Sequence, residues 1–161
     1  MALEENKDFV FVPVVDVIMD KACMLGTREY IYRVMDQVEV EQGFWESVLS
    51  NTVQVQTITL GDKSPREIIQ ELLLAEDLTL EGLHEFMAGL LKQYKGGVQI
   101  LQLEFLKSLK VSAGWFGGSI TYREEQDFGY KPLVTRIPGS HKKQVKAFYE
   151  DIAAAINNKK K

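Results

Sequence analysis

A single cysteine, Cys23, stands in the 161 residues, which excludes an intramolecular disulfide and any all-cysteine metal site. Histidine is almost as scarce. His84 and His141 are the only two, and a zinc or two-histidine iron site needs several convergent ligands. No uninterrupted apolar run approaches the roughly 20 residues of a membrane-spanning helix. The opening Met-Ala-Leu-Glu-Glu-Asn-Lys-Asp is acidic and polar, the wrong chemistry for a secretory signal peptide. Together with the lone cysteine, this makes a reducing, cytoplasmic setting the expectation. Cys23 itself lacks a neighbouring base, so the expected role is a small buried hydrophobe rather than a nucleophile.

Positive charge is lacking over most of the chain and concentrated at its end. Residues 131–161 carry eight Lys and Arg against Glu150 and Asp151, a net +6. That leaves 11 basic and 21 acidic side chains in residues 1–130, a net −10. An acidic body argues against a nucleic-acid binder, whose footprint would be a broad basic surface. A local anionic partner at the C-terminal end stays compatible with this distribution.

What is present is an ordinary globular composition, 45% hydrophobic and 26% charged, in a length suited to one domain. Residues 8–60 read as β, with strands at Phe9–Val17, Met24–Met35, Gln37–Gln42 and Val53–Leu60. In the second of these, Tyr30, Tyr32 and Val34 share one face and Glu29, Ile31 and Arg33 the other, and Gly26-Thr27 marks a bulge or bend. The period then changes to helical over residues 64–95. Ser64-Pro65-Arg66-Glu67 is a capping box with proline at the first helical position. Thr79 caps a second helix with an apolar stripe of Leu83, Phe86, Met87, Leu90, Leu91 and Tyr94, ended by Gly96-Gly97. Residues 98–137 return to β, where Leu101, Leu103, Phe105, Leu109 and Val111 share one parity broken only by Lys107, a helical reading of Leu103–Leu109 stays open, and Gly117-Gly118 makes a hairpin. A helix over about residues 140–157 closes the chain, burying Val145, Phe148, Tyr149, Ile152 and Ile156.

One phrase occurs twice: a strand, a Gly-aromatic-aromatic turn, another strand, a glycine and a helix. The first copy contains Gly43-Phe44-Trp45 and Gly61, the second Gly114-Trp115-Phe116 and Gly139. Neither is a phosphate loop, because no Gly-Lys-Ser/Thr follows and the next element reads as a strand. The stretch Leu103–Ile156, with its closing Lys146-Ala147-Phe148-Tyr149-Glu150-Asp151-Ile152, resembles the closing half of bacterial pleckstrin-homology-like domains, including GRAM-type variants. The segment Val38–Leu73 and the strand Met24–Val34 with Gly26-Thr27-Arg28 are also similar to parts of that family. The resemblance implies an α+β fold, a bent antiparallel sheet or partly open barrel plugged at one end by the C-terminal helix. The helical segment 64–95 departs from the family pattern and reads as an insertion, or as the join between two degenerate halves sharing one core.

No catalytic or metal-binding constellation stands out, and no cofactor is expected. Gly114–Gly118 reads first as a tight hairpin packing its aromatics onto the core, and Lys142, Lys143 and Lys146 as a solvated outer face of the last helix. The binding candidates are these lysines, together with Trp115 and Phe116 should the loop be exposed instead. The expected function is a non-catalytic binding or scaffolding module acting on a protein, itself included, or on an anionic membrane surface. An enzyme or small-molecule carrier is the alternative, using a pocket between the sheet and helix 80–95. It would place a buried polar cluster around Tyr30, Tyr32 or His84. A homo-oligomeric structural protein pairing exposed strand edges is the third reading.

Overall fold

The computed structural model describes residues 2–17, 20–39, 55–57, 59, 62–94, 96–124 and 133–158. The first strand, β1, spans Phe9–Val17 as its alternating valines require, and β2 follows over Asp20–Thr27. Strand β3 covers Tyr30–Met35. A single strand Met24–Met35 was expected, but the chain reverses at Arg28-Glu29. The Thr27 hydroxyl accepts from the backbone N–H of Tyr30 at 3.1 Å, closing the turn without glycine or proline at its tip. Strands β4 (Gln37–Glu39) and β5 (Val55–Thr57) pair only with each other, as a two-stranded ribbon.

Helices α1 (Pro65–Leu73) and α2 (Leu80–Gln93) begin where their caps dictate. Ser64 Oγ accepts from the Glu67 N–H at 3.4 Å and Thr79 Oγ1 from the Gly82 N–H at 3.0 Å. Helix α2 ends at its cap Tyr94, and Gly96 then takes φ 83, a left-handed value that favours glycine. The buried stripes Ile69 and Leu83-Met87-Leu90 seat the two helices, each such side chain contributing about 1.5–3 kcal/mol.

Strand β6 (Val98–Gln102) leads through a 3₁₀ turn, Leu103–Phe105, into β7 (Leu106–Ala113), β8 (Gly118–Glu124) and β9 (Leu133–Ile137). The shared parity from Leu101 to Val111 does not survive. The turn, and a register shift between Leu106 and Ser108, leave Phe105 exposed and bury Leu106 instead. The last helix, α3, spans Lys142–Asn158. Val145, Phe148, Tyr149 and Ile156 are buried on it as expected, with Ile152 half-buried.

Seven strands form one antiparallel sheet in the order β6-β3-β2-β1-β9-β8-β7. Since β3 and β6 are neighbours, everything between them, the ribbon and helices α1 and α2, is an insertion between adjacent strands. The two copies of the repeated phrase are therefore not equivalent: β4 and β5 stand apart while β7, β8 and β9 belong to the main sheet. Gly43-Phe44-Trp45 and Gly61 lie outside the described residues.

The sheet must curl, and one side chain proves it. Arg33 on β3 bonds to Thr135 Oγ1 on β9 and to the Tyr122 hydroxyl on β8, both at 2.6 Å. In a flat sheet those strands would lie about 14 and 19 Å from β3. Arg33 thus points into the concave interior of a half-barrel, and Tyr30 and Tyr32, of opposite parity, point outward under α2. The expectation of a bent antiparallel α+β sheet holds. Helix α3 packs on β7, β8 and β1 from the concave side. Its Asn157 amide bonds both backbone groups of Leu109, at 2.9 and 3.1 Å, and so covers part of the β7 edge.

Both faces of the central strands are therefore buried, which shifts the acids trapped there. Burial pushes the Cys23 thiol from its ordinary 9.0 up to about 12, despite the opposing field of Arg66. Burial likewise raises the Tyr122 and Tyr149 phenols above the ordinary 10.0. The fold favours the protonated form of each, so the unfolded chain gives up these protons first as pH rises. Stability contributed this way is complete below about pH 9 and declines as pH climbs toward the raised folded values. The urea midpoint should stay level between about pH 7 and 8 and fall steadily above about pH 9.5. A flat midpoint through that alkaline range would contradict this burial.

Candidate functional site

The residues singled out in the sequence converge at one end of the sheet. Strands β7 and β8 are joined through Gly114-Trp115-Phe116-Gly117, with the Gly114 N–H donating to the Gly117 carbonyl at 2.8 Å. At the tip Trp115 is 89% and Phe116 95% exposed, far beyond any other described aromatic. Exposing two such rings forgoes burial worth about 2–3 kcal/mol each, so the core is not what holds them there.

Helix α3 starts beside this tip. Lys142 Nζ donates to the carbonyls of Gly114 at 2.8 Å and Trp115 at 3.4 Å, bracing the hairpin from the side. Lys146 lies one turn on from Lys142 along the same face of the helix, and both Lys143 and Lys146 are exposed. No acidic residue occurs between Ala113 and Gly118 or between Lys142 and Tyr149. The five candidates therefore separate by role. Trp115, Phe116, Lys143 and Lys146 are presented to solvent, whereas Lys142 is spent on positioning the tip.

A concavity of about 360 Å³ lies elsewhere, between the β2–β3 turn and α2. It is lined by Thr27, Arg28, Glu29, Tyr30, Tyr32, Leu80, Glu81, His84 and Glu85. Tyr30 packs on the His84 ring at a centroid separation of 4.4 Å, and the Tyr32 hydroxyl lies 2.8 Å from His84 Nδ1. Burial, then the charges of Tyr30 and Glu29, push the Tyr32 phenol well above its ordinary value. Of the buried polar cluster that the pocket reading places here, only Tyr32 is buried; Tyr30 and His84 are half-buried and line the cleft. His141 instead sits at the start of α3, its Nδ1 2.9 Å from the Ser140 hydroxyl.

The interior triad Arg33, Tyr122 and Thr135 was not foreseen as a unit. Arg33 also lies over the Tyr122 ring, 5.4 Å from its centroid. Its only signal in the sequence was a basic residue alternating with apolar ones, which reads equally well as a solvent-facing position. Arg28 carries a comparable long-range role. It donates to the Phe148 carbonyl at 3.1 Å and pairs with Asp151 at 2.5 Å, tying the β2–β3 turn to α3. That contact holds the Asp151 carboxyl below its ordinary value.

Among the described residues no group of three or more His, Cys, Asp and Glu is placed to hold a metal ion, and no helix is long and apolar enough to cross a membrane. No family model, curated protein or solved structure matches this chain.

Proposed function

We propose that this chain is a cytoplasmic, non-catalytic binding module of pleckstrin-homology-like type that docks its β7–β8 tip on an anionic membrane surface. The observation that carries the reading is the pair Trp115 and Phe116, almost fully exposed at the end of a braced hairpin beside exposed lysines. An indole and a phenyl ring at such a tip suit the headgroup boundary of a bilayer, where an apolar body and a polar edge are both accommodated. Lys143 and Lys146 add attraction to anionic lipid, about 1 kcal/mol each near a charged surface. The bent antiparallel sheet with a C-terminal helix on its concave side supports the family resemblance. A protein surface, including a second copy of this chain, is the competing occupant of the tip.

Co-sedimentation with vesicles of neutral and of anionic lipid separates these. The full chain should bind anionic vesicles, and W115S/F116S should abolish binding. Removing two lysine charges costs about 2 kcal/mol, so K143E/K146E should weaken binding roughly 30-fold or more. Equal behaviour of all three proteins on both lipids would sink the membrane reading. A dimer seen by light scattering that W115S/F116S dissolves would assign the tip to self-association instead.

A further inference from the structure

We infer that the cleft between the β2–β3 turn and α2 is a binding site for a small organic ammonium ion, of the quaternary or alkylated type. The cleft's volume of about 360 Å³ falls in the range of small-ligand sites. One wall is aromatic: Tyr30 and His84 in contact at 4.4 Å, with the buried Tyr32 behind them, its centroid 5.7 Å from Tyr30 and 5.8 Å from His84. The faces of such rings attract a cation, and most strongly one that sheds its water cheaply, as an alkylated ammonium does. The Tyr32–His84 hydrogen bond, at 2.8 Å, fixes the imidazole in that wall.

The other wall is acidic. Glu29, Glu81 and Glu85 all line the cleft, and none has an ion-pair partner among the described residues. The one cation in the lining, Arg28, is already committed to Asp151 and the Phe148 carbonyl. Helix α2 does point its N-terminus at the cleft, which by itself would favour an anion. That end is worth only about half a unit charge, and Thr79 already takes the Gly82 and Leu83 N–H groups. Three carboxylates outweigh it. The site is also held in place: the Glu29 carbonyl accepts from the Leu103 N–H at 2.9 Å, and Thr27 closes the turn beneath it.

The test is calorimetric titration of the full chain with choline and tetramethylammonium, and with 3,3-dimethylbutanol as the neutral isostere of choline. Both cations should saturate one site, with the isostere bound at least about tenfold more weakly. Glu81→Gln/Glu85→Gln, on the exposed surface of α2, should weaken choline by about tenfold, with only a small fall in melting temperature because Glu81 stands in the first turn of the helix. Tyr30→Ala should abolish binding, and Tyr30→Phe, which keeps the ring, should retain it. The inference is overturned by equal affinity for choline and the isostere, by affinity unchanged in the double glutamine variant, or by no saturable heat from either cation at millimolar concentration. None of these outcomes depends on the hairpin tip, so failure here leaves the membrane reading standing.

Discussion

Gly26→Ala is expected to lower stability by about 2–6 kcal/mol, a large share of the roughly 5–15 kcal/mol that holds a domain folded. A Cβ at this position would lie 2.0 Å from the Tyr149 hydroxyl oxygen, 2.9 Å from Cζ and 3.0 Å from Cε2. Tyr149 cannot swing aside. It is fully buried on α3, edge-on to Phe148 at 4.8 Å, and its hydroxyl donates to the Thr27 carbonyl at 3.0 Å. Overpacking of this kind costs about 1–3 kcal/mol, and losing the buried hydrogen bond adds about 1–3. The backbone contributes nothing to the penalty, because Gly26 has no positive φ and alanine fits a strand. Urea denaturation measures the loss. Gly26→Ala combined with Tyr149→Phe removes the nearest atom, so the pair should be more stable than Gly26→Ala alone. A loss under about 1 kcal/mol in the single variant would contradict the docking of α3 described above.

Tyr122→Phe is expected to cost about 2–4 kcal/mol although it deletes one oxygen and leaves the ring in place. Arg33 is 4% exposed, and its two named partners are hydroxyls rather than a carboxylate. Hydrogen bonds to a charged group are worth about 1.5–3 kcal/mol, and a buried charge left without its acceptor keeps its full desolvation cost. Adding Thr135→Val should deepen the loss, since both acceptors are then gone. Replacing Arg33 by Met in that double background should restore most of it, because an interior triad exchanged for apolar groups leaves nothing unsatisfied. A denaturation cycle over these variants measures the coupling. Additive losses with no recovery on Arg33→Met would mean the guanidinium is not held as described.

These two sites mark where reading along the chain stops working. Gly26 was expected to permit a bulge or bend. Its actual constraint comes from Tyr149, a residue of the C-terminal helix that no local pattern connects to it. Arg33 alternates with apolar neighbours and so was grouped with Glu29 on one face. In a flat sheet that face could be wet, but curling brings β8 and β9 over it. The candidate tip was legible only in part. Spacing marked Trp115, Phe116 and the lysines near Lys142, but packing of the two rings onto the core was the first reading, and their exposure and the bracing by Lys142 needed the three-dimensional arrangement. Tyr30, Tyr32 and His84 were named as the residues a pocket would use, and they do line one.

By itself the sequence determined what depends on neighbours a few residues apart. Ser64 and Thr79 start helices because their side chains reach the N–H groups of Glu67 and Gly82. Apolar spacing places Leu83, Met87 and Leu90 on one face of α2, within reach of a few turns of helix, whereas the hairpin expected at Gly117-Gly118 turns at Gly114–Gly117, Gly118 of β8 already pairing with Ala113 of β7. Tertiary structure decided the rest. The break at Arg28-Glu29, the reversal of burial at Phe105 and Leu106, the buried Arg33 and the acidic, aromatic cleft arise from strands and helices meeting across long stretches of sequence. Those contacts are set by how the curled sheet closes on α2 and α3, and periodicity carries no record of that closure.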